Sequence, residues 1–302
     1  MEYDKINNGV CFRESDHVYF EEKNPDCKYI SVTTLIHGFS QPFDAEFNSA
    51  MKALEQLLPP DVWAVEKKSL RARKKFDKSI LNLYDIPETE FNKVQQSILD
   101  AWEENKNKAC ERGTAMHLEI ENSFYNKGTN IDLQKFGVGG KFTCIKDYSD
   151  LDLPYGVYPE YLIYFKSKDG LLRLAGQIDL IIKSGNEITI ADHKTNRKID
   201  LKSFYDSSTK SSQKMQYPLN NLDDCNFNIY TLQLSTYAWM LQKINPDFVI
   251  KDLIINHYDH NGKNTLYHCE YRKHDVERML AYYKKQIIKN IQRERRTPIS
   301  YD

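Results

Sequence analysis

Apolar and polar positions alternate most clearly between residues 159 and 194. PEYLIYFK (159–166), LLRLAGQIDLIIK (171–183) and EITIADHK (187–194) are separated by Lys168-Asp169-Gly170 and Ser184-Gly185-Asn186. Period-two runs divided by glycine-containing turns predict a three-stranded antiparallel meander. Upstream, over residues 44–126, the period lengthens. Leu54, Leu57 and Leu58, and later Val94, Ile98 and Trp102, recur at three- and four-residue spacing, with Pro59-Pro60 and Pro87 as breaks, which predicts several helices. Near the N-terminus, Val18, Tyr19, Phe20 and the β-branched run YISVTTLI (29–36) predict a short hairpin peripheral to the main sheet.

Beyond the meander, residues 196–226 are polar and serine-rich, and are long enough to be expected as a functional loop or lid. FNIYTLQLSTYAWMLQKI (227–244) returns to helical spacing. A strand over 253–258, the turn Asn261-Gly262, a strand over 265–271 and a charged helix from 273 to about 296 complete the pattern, with no internal repeat.

Composition narrows the picture only by exclusion. With 302 residues the chain can bury a core without help from metals or disulfides. No apolar run approaches the roughly 18 residues that a membrane span needs. The opening MEYDKINNGV lacks the basic and apolar regions of a secretory signal, so an intracellular, cytoplasmic location is expected. Six cysteines without a CxxC pair read as reduced thiols. A formal net charge of -1 gives no global attraction to phosphate, so nucleic-acid affinity would have to come from local basic patches or bound cations. One such patch is EKKSLRARKK, with Lys67, Lys68, Arg71, Arg73, Lys74 and Lys75; a second is the C-terminal run from Lys284 to Arg296. Each reads either as a solvated helix face or as a phosphate contact.

Alternation along 187–194 puts Ile188, Ile190, Asp192 and Lys194 on one face of the third strand. Asp179 falls on the neighbouring strand among apolar residues, where an unpaired carboxylate is costly. Two alternatives follow. The carboxylates either pair with Lys194 or Arg173, or share a hard divalent cation such as Mg²⁺ or Mn²⁺. Lys194 beside two carboxylates stays protonated and suits a role near a phosphate oxygen or an attacking water.

Gly176-Gln177-Ile178-Asp179, then Asp192-His193-Lys194-Thr195, then Gln233-Leu234-Ser235-Thr236-Tyr237 resemble the GxxD, DxK-T and QxxxY series of the RecB-like branch of the PD-(D/E)xK nucleases. Gly113-Thr114-Ala115-Met116-His117 and Pro159-Glu160 resemble that branch's G-T-x-x-H helix and P-E strand start. The resemblance implies an α+β, restriction-endonuclease-like core in which helices flank a central mixed sheet, with a helical N-terminal extension. It also implies His117, Asp179 and Asp192 as metal ligands, with the His193 carbonyl as a further one. Lys194 would be the catalytic lysine, Glu160 would line the site, and Gln233 and Tyr237 would face the active site or the DNA, alongside Thr195 and Arg197. A histidine ligand favours Mn²⁺ as much as Mg²⁺. The isolated Cys110, Cys225 and Cys269 do not match the iron-sulfur cysteine set of some members, so no cluster is expected.

DHVYF, YISVTTLI and QYPLNNL also resemble phage-type and mitochondrial-genome-maintenance-type exonucleases of the branch. The expectation is therefore a metal-dependent DNA exonuclease of phage type, acting on single strands or free ends with replication or recombination proteins and no membrane. Two alternatives stay open: a single-strand or structure-specific endonuclease with the same site, and a non-catalytic nucleic-acid-binding or assembly protein. Residues 1–104 are expected to form the N-terminal hairpin and helical region, a channel for a DNA strand, and residues 105–302 the nuclease core. No P-loop sequence occurs.

Overall fold

The computed structural model describes residues 2–73, 75–146, 153–206 and 210–294. Strands β1 (Lys5–Asn7), β2 (Val10–Arg13), β3 (Val18–Glu21) and β4 (Asn24–Ser31) form an antiparallel meander that leads into helix α1 (Val32–His37). Four helices follow: α2 (Ala45–Leu57), α3 (Pro60–Arg73), α4 (Ser79–Leu83) and α5 (Glu88–Lys127). Pro60 occupies the first position of α3 and Pro87 precedes α5, the two places where a missing N–H does no harm.

The small pair β5 (Ile131–Leu133) and β6 (Val138–Phe142) precedes the meander β7 (Gly156–Lys166), β8 (Arg173–Ser184) and β9 (Glu187–Lys194). Its antiparallel pairing agrees with the alternation in sequence. After the short strands β10 (Tyr205–Asp206) and β11 (Ser211–Ser212) come α6 (Asn226–Ile244), β12 (Val249–Tyr258), β13 (Asn264–His268) and α7 (Lys273–Glu294). The main sheet runs β1-β2-β3-β4-β8-β9-β12-β13, with β7 on β8. β12 lies parallel to β9, and α6 supplies the crossover that parallel pairing requires. This is a mixed α+β architecture, a central mixed sheet flanked by helices.

Three expectations need correction. The run VTTLI is helical, not extended, because Ser31 Oγ accepts from the Thr34 backbone N–H at 3.0 Å and caps α1, whose Val32, Leu35 and Ile36 then fall on one buried face. The N-terminal strands are not peripheral. β4 pairs in parallel with the start of β8, Ile30 opposite Leu174 and Ser31 opposite Ala175, and so extends the main sheet. The described residues of 196–226 include the β10–β11 pair and are packed rather than a free lid: Met215, Leu219 and Leu222 enter the core, and Gln216 N donates to Phe39 O at 2.7 Å.

The chain divides into two compact units, one of Met1–Gln41 with Ala115–Asp302, the other Pro42–Thr114. The first 41 residues thus group with the sheet. In the larger unit one core includes Ile188, Ile190, Leu232, Leu234 and Tyr237, and a second, with Leu180, Ile182 and Ala191, packs against Phe124 and the β5–β6 pair. The helical unit has its own core around Leu54, Trp63, Leu70, Phe91 and Ile98. Among the described residues, no helix is long and apolar enough to cross a membrane.

Candidate active site

β8 changes its neighbour part-way along. Leu174 and Ala175 pair with β4, whereas pairing with β9 begins only at Leu180, opposite Ala191. Asp179 sits in the interval, and its Oδ2 accepts from the backbone N–H of His193 at 2.6 Å. A side chain thereby takes over where the ladder stops, and buries its carboxylate next to the end of β9.

The facing strand, β7, has its own irregularity. Glu160 adopts φ 50°, a left-handed conformation unusual for a residue with a long side chain, and the ladder passes from Pro159–Leu180 to Tyr161–Ile178 around it. From this turned backbone Glu160 reaches His117. Lys5 on β1 lies 3.5 Å from Glu160 O and 3.6 Å from Glu121 Oε1, and Asn7 donates to Leu162 O at 2.7 Å, so β1 braces this part of β7.

His117 comes from the C-terminal part of α5. Its Nδ1 lies 3.2 Å from Glu160 Oε1 and 3.6 Å from Asp179 Oδ2, and its Nε2 lies 3.1 Å from His193 O. One ligand atom from each of His117, Glu160 and Asp179 falls within 4.8 Å of the other two. Burial pushes the imidazole pKa down, yet Asp179, Glu160 and Asp192 together raise it to about 9. Both ring nitrogens face oxygen acceptors, which a doubly protonated ring satisfies.

Asp192 and Lys194 share a face, as the alternation predicts. Lys194 Nζ is 2.6 Å from Asp192 Oδ2, and Gln233 Nε2 donates to Asp192 Oδ1 at 3.0 Å from α6. Burial pushes the Asp192 carboxyl up to about 6, against the pull of Lys194. For Lys194, burial acts downward, but Asp192 and Asp179 outweigh it and hold the ammonium protonated. Its side chain remains 18% exposed. The ammonium also lies 4.8 Å from the ring centroid of Tyr230, whose hydroxyl donates to Asn196 Oδ1 at 2.8 Å. The sequence reading missed Tyr230, although it precedes Gln233 by three on α6 and so shares its face.

Several expected site residues are placed differently from one another. The His193 carbonyl faces His117, while its ring is buried, bonded through Nδ1 to Asn256, and driven by burial to a pKa of about 3. Tyr237 packs against β8. It is only 3% exposed, and its ring fills the space over Gly176, where a Cβ would come within 2.8 Å of Cε1 and the hydroxyl. The Gly of GxxD and the Tyr of QxxxY are thus two halves of one packing contact. Thr195 is half-buried beside Lys194, and Arg197 is exposed. In the helical unit, Lys67 is half-buried and Lys68, Arg71 and Arg73 are exposed on α3. Lys74 lies outside the described residues.

Two solved structures share the course of the chain only loosely. One is a crystal structure of SSO0001, 14% identical, with 86% of this chain and 76% of that one covered at a TM-score of 0.33. The other, named "Putative exonuclease" and from Eubacterium rectale, is 9% identical over 87% of this chain and 81% of that one at 0.32. Values this low carry no argument. No curated protein matches the chain. The model of the PD-(D/E)XK nuclease superfamily, however, matches residues 85–301, which include every residue of the site just described except Lys5 and Asn7 of its β1 brace. On that match over well more than half of its length, this chain belongs to the PD-(D/E)XK nuclease superfamily.

Proposed function

We propose that this protein is a divalent-metal-dependent deoxyribonuclease of the RecB-like branch, hydrolysing phosphodiester bonds from the ends of DNA. The convergence of His117, Glu160 and Asp179 within 4.8 Å, beside the Asp192–Lys194 pair, carries the reading. Three carboxylates outnumber Lys194 and a protonated His117 and leave negative charge for a cation to neutralise, and an imidazole with carboxylate and carbonyl oxygens suits Mg²⁺ or Mn²⁺. His117, Asp179 and Asp192 would hold the ion with the His193 carbonyl, and Glu160 would act directly or through water. Such a cation neutralises charge building on the phosphate and lowers the pKa of water.

The protein's own groups do the rest. Asp192 and Asp179 keep Lys194 charged, and its Nζ presents fixed positive charge to a phosphoryl oxygen or orients the attacking water by donating a hydrogen bond. Gln233 fixes the Asp192 carboxylate, and the His193 N–H fixes that of Asp179. Any nitrogen of His117 that ligates must first lose its proton.

Action from ends is supported by the resemblance of DHVYF, YISVTTLI and QYPLNNL to exonuclease segments. The test is a time course on end-labelled linear DNA and on a circular single strand with Mg²⁺ or Mn²⁺, set against EDTA and Lys194→Ala. Metal-dependent loss of linear DNA by the wild type alone, with the circle intact, supports an exonuclease. Nicking of the circle replaces it with an endonuclease, and a wild type as inert as Lys194→Ala overturns the catalytic reading.

A further inference from the structure

Within the helical unit, α2, α3 and α5 enclose a groove of about 340 Å³ unrelated to the metal-ligand cluster. The volume lies at the small end of the roughly 300–1,000 Å³ typical of ligand sites, room for about one nucleotide. Its aromatic wall comes from Phe43, Phe47, Trp63 and Trp102. Phe43 is 68% exposed, an unusual position for a phenylalanine, and its ring stands 5.6 Å from Trp102 at 59°. The two rings form an open aromatic corner.

The charge of the groove is equally particular. Trp63, Lys67 and Arg71 recur at four-residue spacing and so line one face of α3, and Lys52 joins them from α2. The one carboxylate in the lining, Glu55, is already engaged. It accepts from Trp63 Nε1 at 3.1 Å and pairs with Lys52 at 3.4 Å and Lys67 at 3.7 Å. Three cations against one carboxylate leave a positive groove beside exposed aromatic faces. Base stacking with a cationic track for phosphate is the combination by which proteins hold single strands without reading sequence.

We infer that this groove is a nucleotide subsite for single-stranded nucleic acid, with a base stacked on Phe43 and Trp102 and the adjoining phosphate held by Lys67 and Arg71. The inference rests on the nuclease reading for its choice of ligand. Lys68 and Arg73, though part of the same basic run, lie outside the lining and contribute only diffuse charge.

Binding of a fluorescein-labelled oligothymidylate of about a dozen nucleotides to the full chain is measured in EDTA, by anisotropy and by quenching of tryptophan emission, while hydrolysis by the wild type with Mn²⁺ is followed separately. Phe43→Ala is expected to weaken binding about tenfold and to reduce the quenching, Phe43→Tyr to restore both, and Arg71→Glu to weaken binding and flatten its salt dependence. Equal binding by wild type, Phe43→Ala and Arg71→Glu overturns the subsite even if the protein hydrolyses DNA. So does a loss confined to Arg71→Glu, which would mean charge without stacking. A wild type that binds through Phe43 yet hydrolyses nothing leaves the subsite standing and removes the nuclease reading instead.

Discussion

The backbone N–H of His193 donates to Asp179 Oδ2 at 2.6 Å, so an acidic side chain of β8 fastens the end of β9 just past the last paired residues of the two strands. That bond ties the geometry of two proposed ligand positions, the Asp179 carboxylate and the His193 carbonyl, to a single contact.

Asp179→Asn keeps an oxygen that can accept from His193 but removes a charge whose ionisation burial opposes. The variant is expected to unfold in EDTA within about 1 kcal/mol of wild type, and to lose the stabilisation that added Mn²⁺ gives the wild type. Thermal melts with and without Mn²⁺ check both halves; an undiminished Mn²⁺ shift would remove Asp179 from the ligand set.

Gln233→Ala deprives buried Asp192 of its amide donor and opens a small cavity in α6. A loss of roughly 2–4 kcal/mol is expected in urea unfolding, with slower hydrolysis at saturating metal. If stability falls and hydrolysis does not, Gln233 is structural alone.

Tyr230→Leu removes the ring beside Lys194 while leaving the carboxylates untouched. Hydrolysis should slow about tenfold at unchanged Mn²⁺ affinity, with Tyr230→Phe retaining most of the rate because the ring face persists. Calorimetric Mn²⁺ titration beside the rate measurement separates this from damage to the metal site.

Gly176→Ala would press a methyl into the Tyr237 ring at 2.8 Å. A cost of about 1–3 kcal/mol is expected, and Gly176→Ala with Tyr237→Leu should cost less than the two singles added together. Strict additivity in the unfolding data would show that the two do not meet.

Much of this was written in local pattern. The β7–β8–β9 meander followed from period-two runs divided by short glycine-containing turns, which join neighbouring strands antiparallel. The shared face of Asp192 and Lys194 followed from the same period of two. The run VTTLI misled because β-branching favours extended chain, while the cap from Ser31 to Thr34, a single local hydrogen bond, decided for helix. That the Tyr237 ring packs on Gly176 was not legible, since a motif position says that a residue is needed and not which way it points.

By itself, then, the sequence determined the meander, the helix of α6 and the strand face on which the Asp–Lys pair stands, since these depend on periodicity and on neighbours a few residues apart. Only tertiary structure decided that β4 and β9 share one edge of β8, that Glu160 meets His117, that Tyr230 covers Lys194, and that Phe43 and Trp102 meet over a positive groove. Each of these joins residues far apart in the chain, and such contacts are fixed by which surfaces can be buried together, a property that no window of sequence contains.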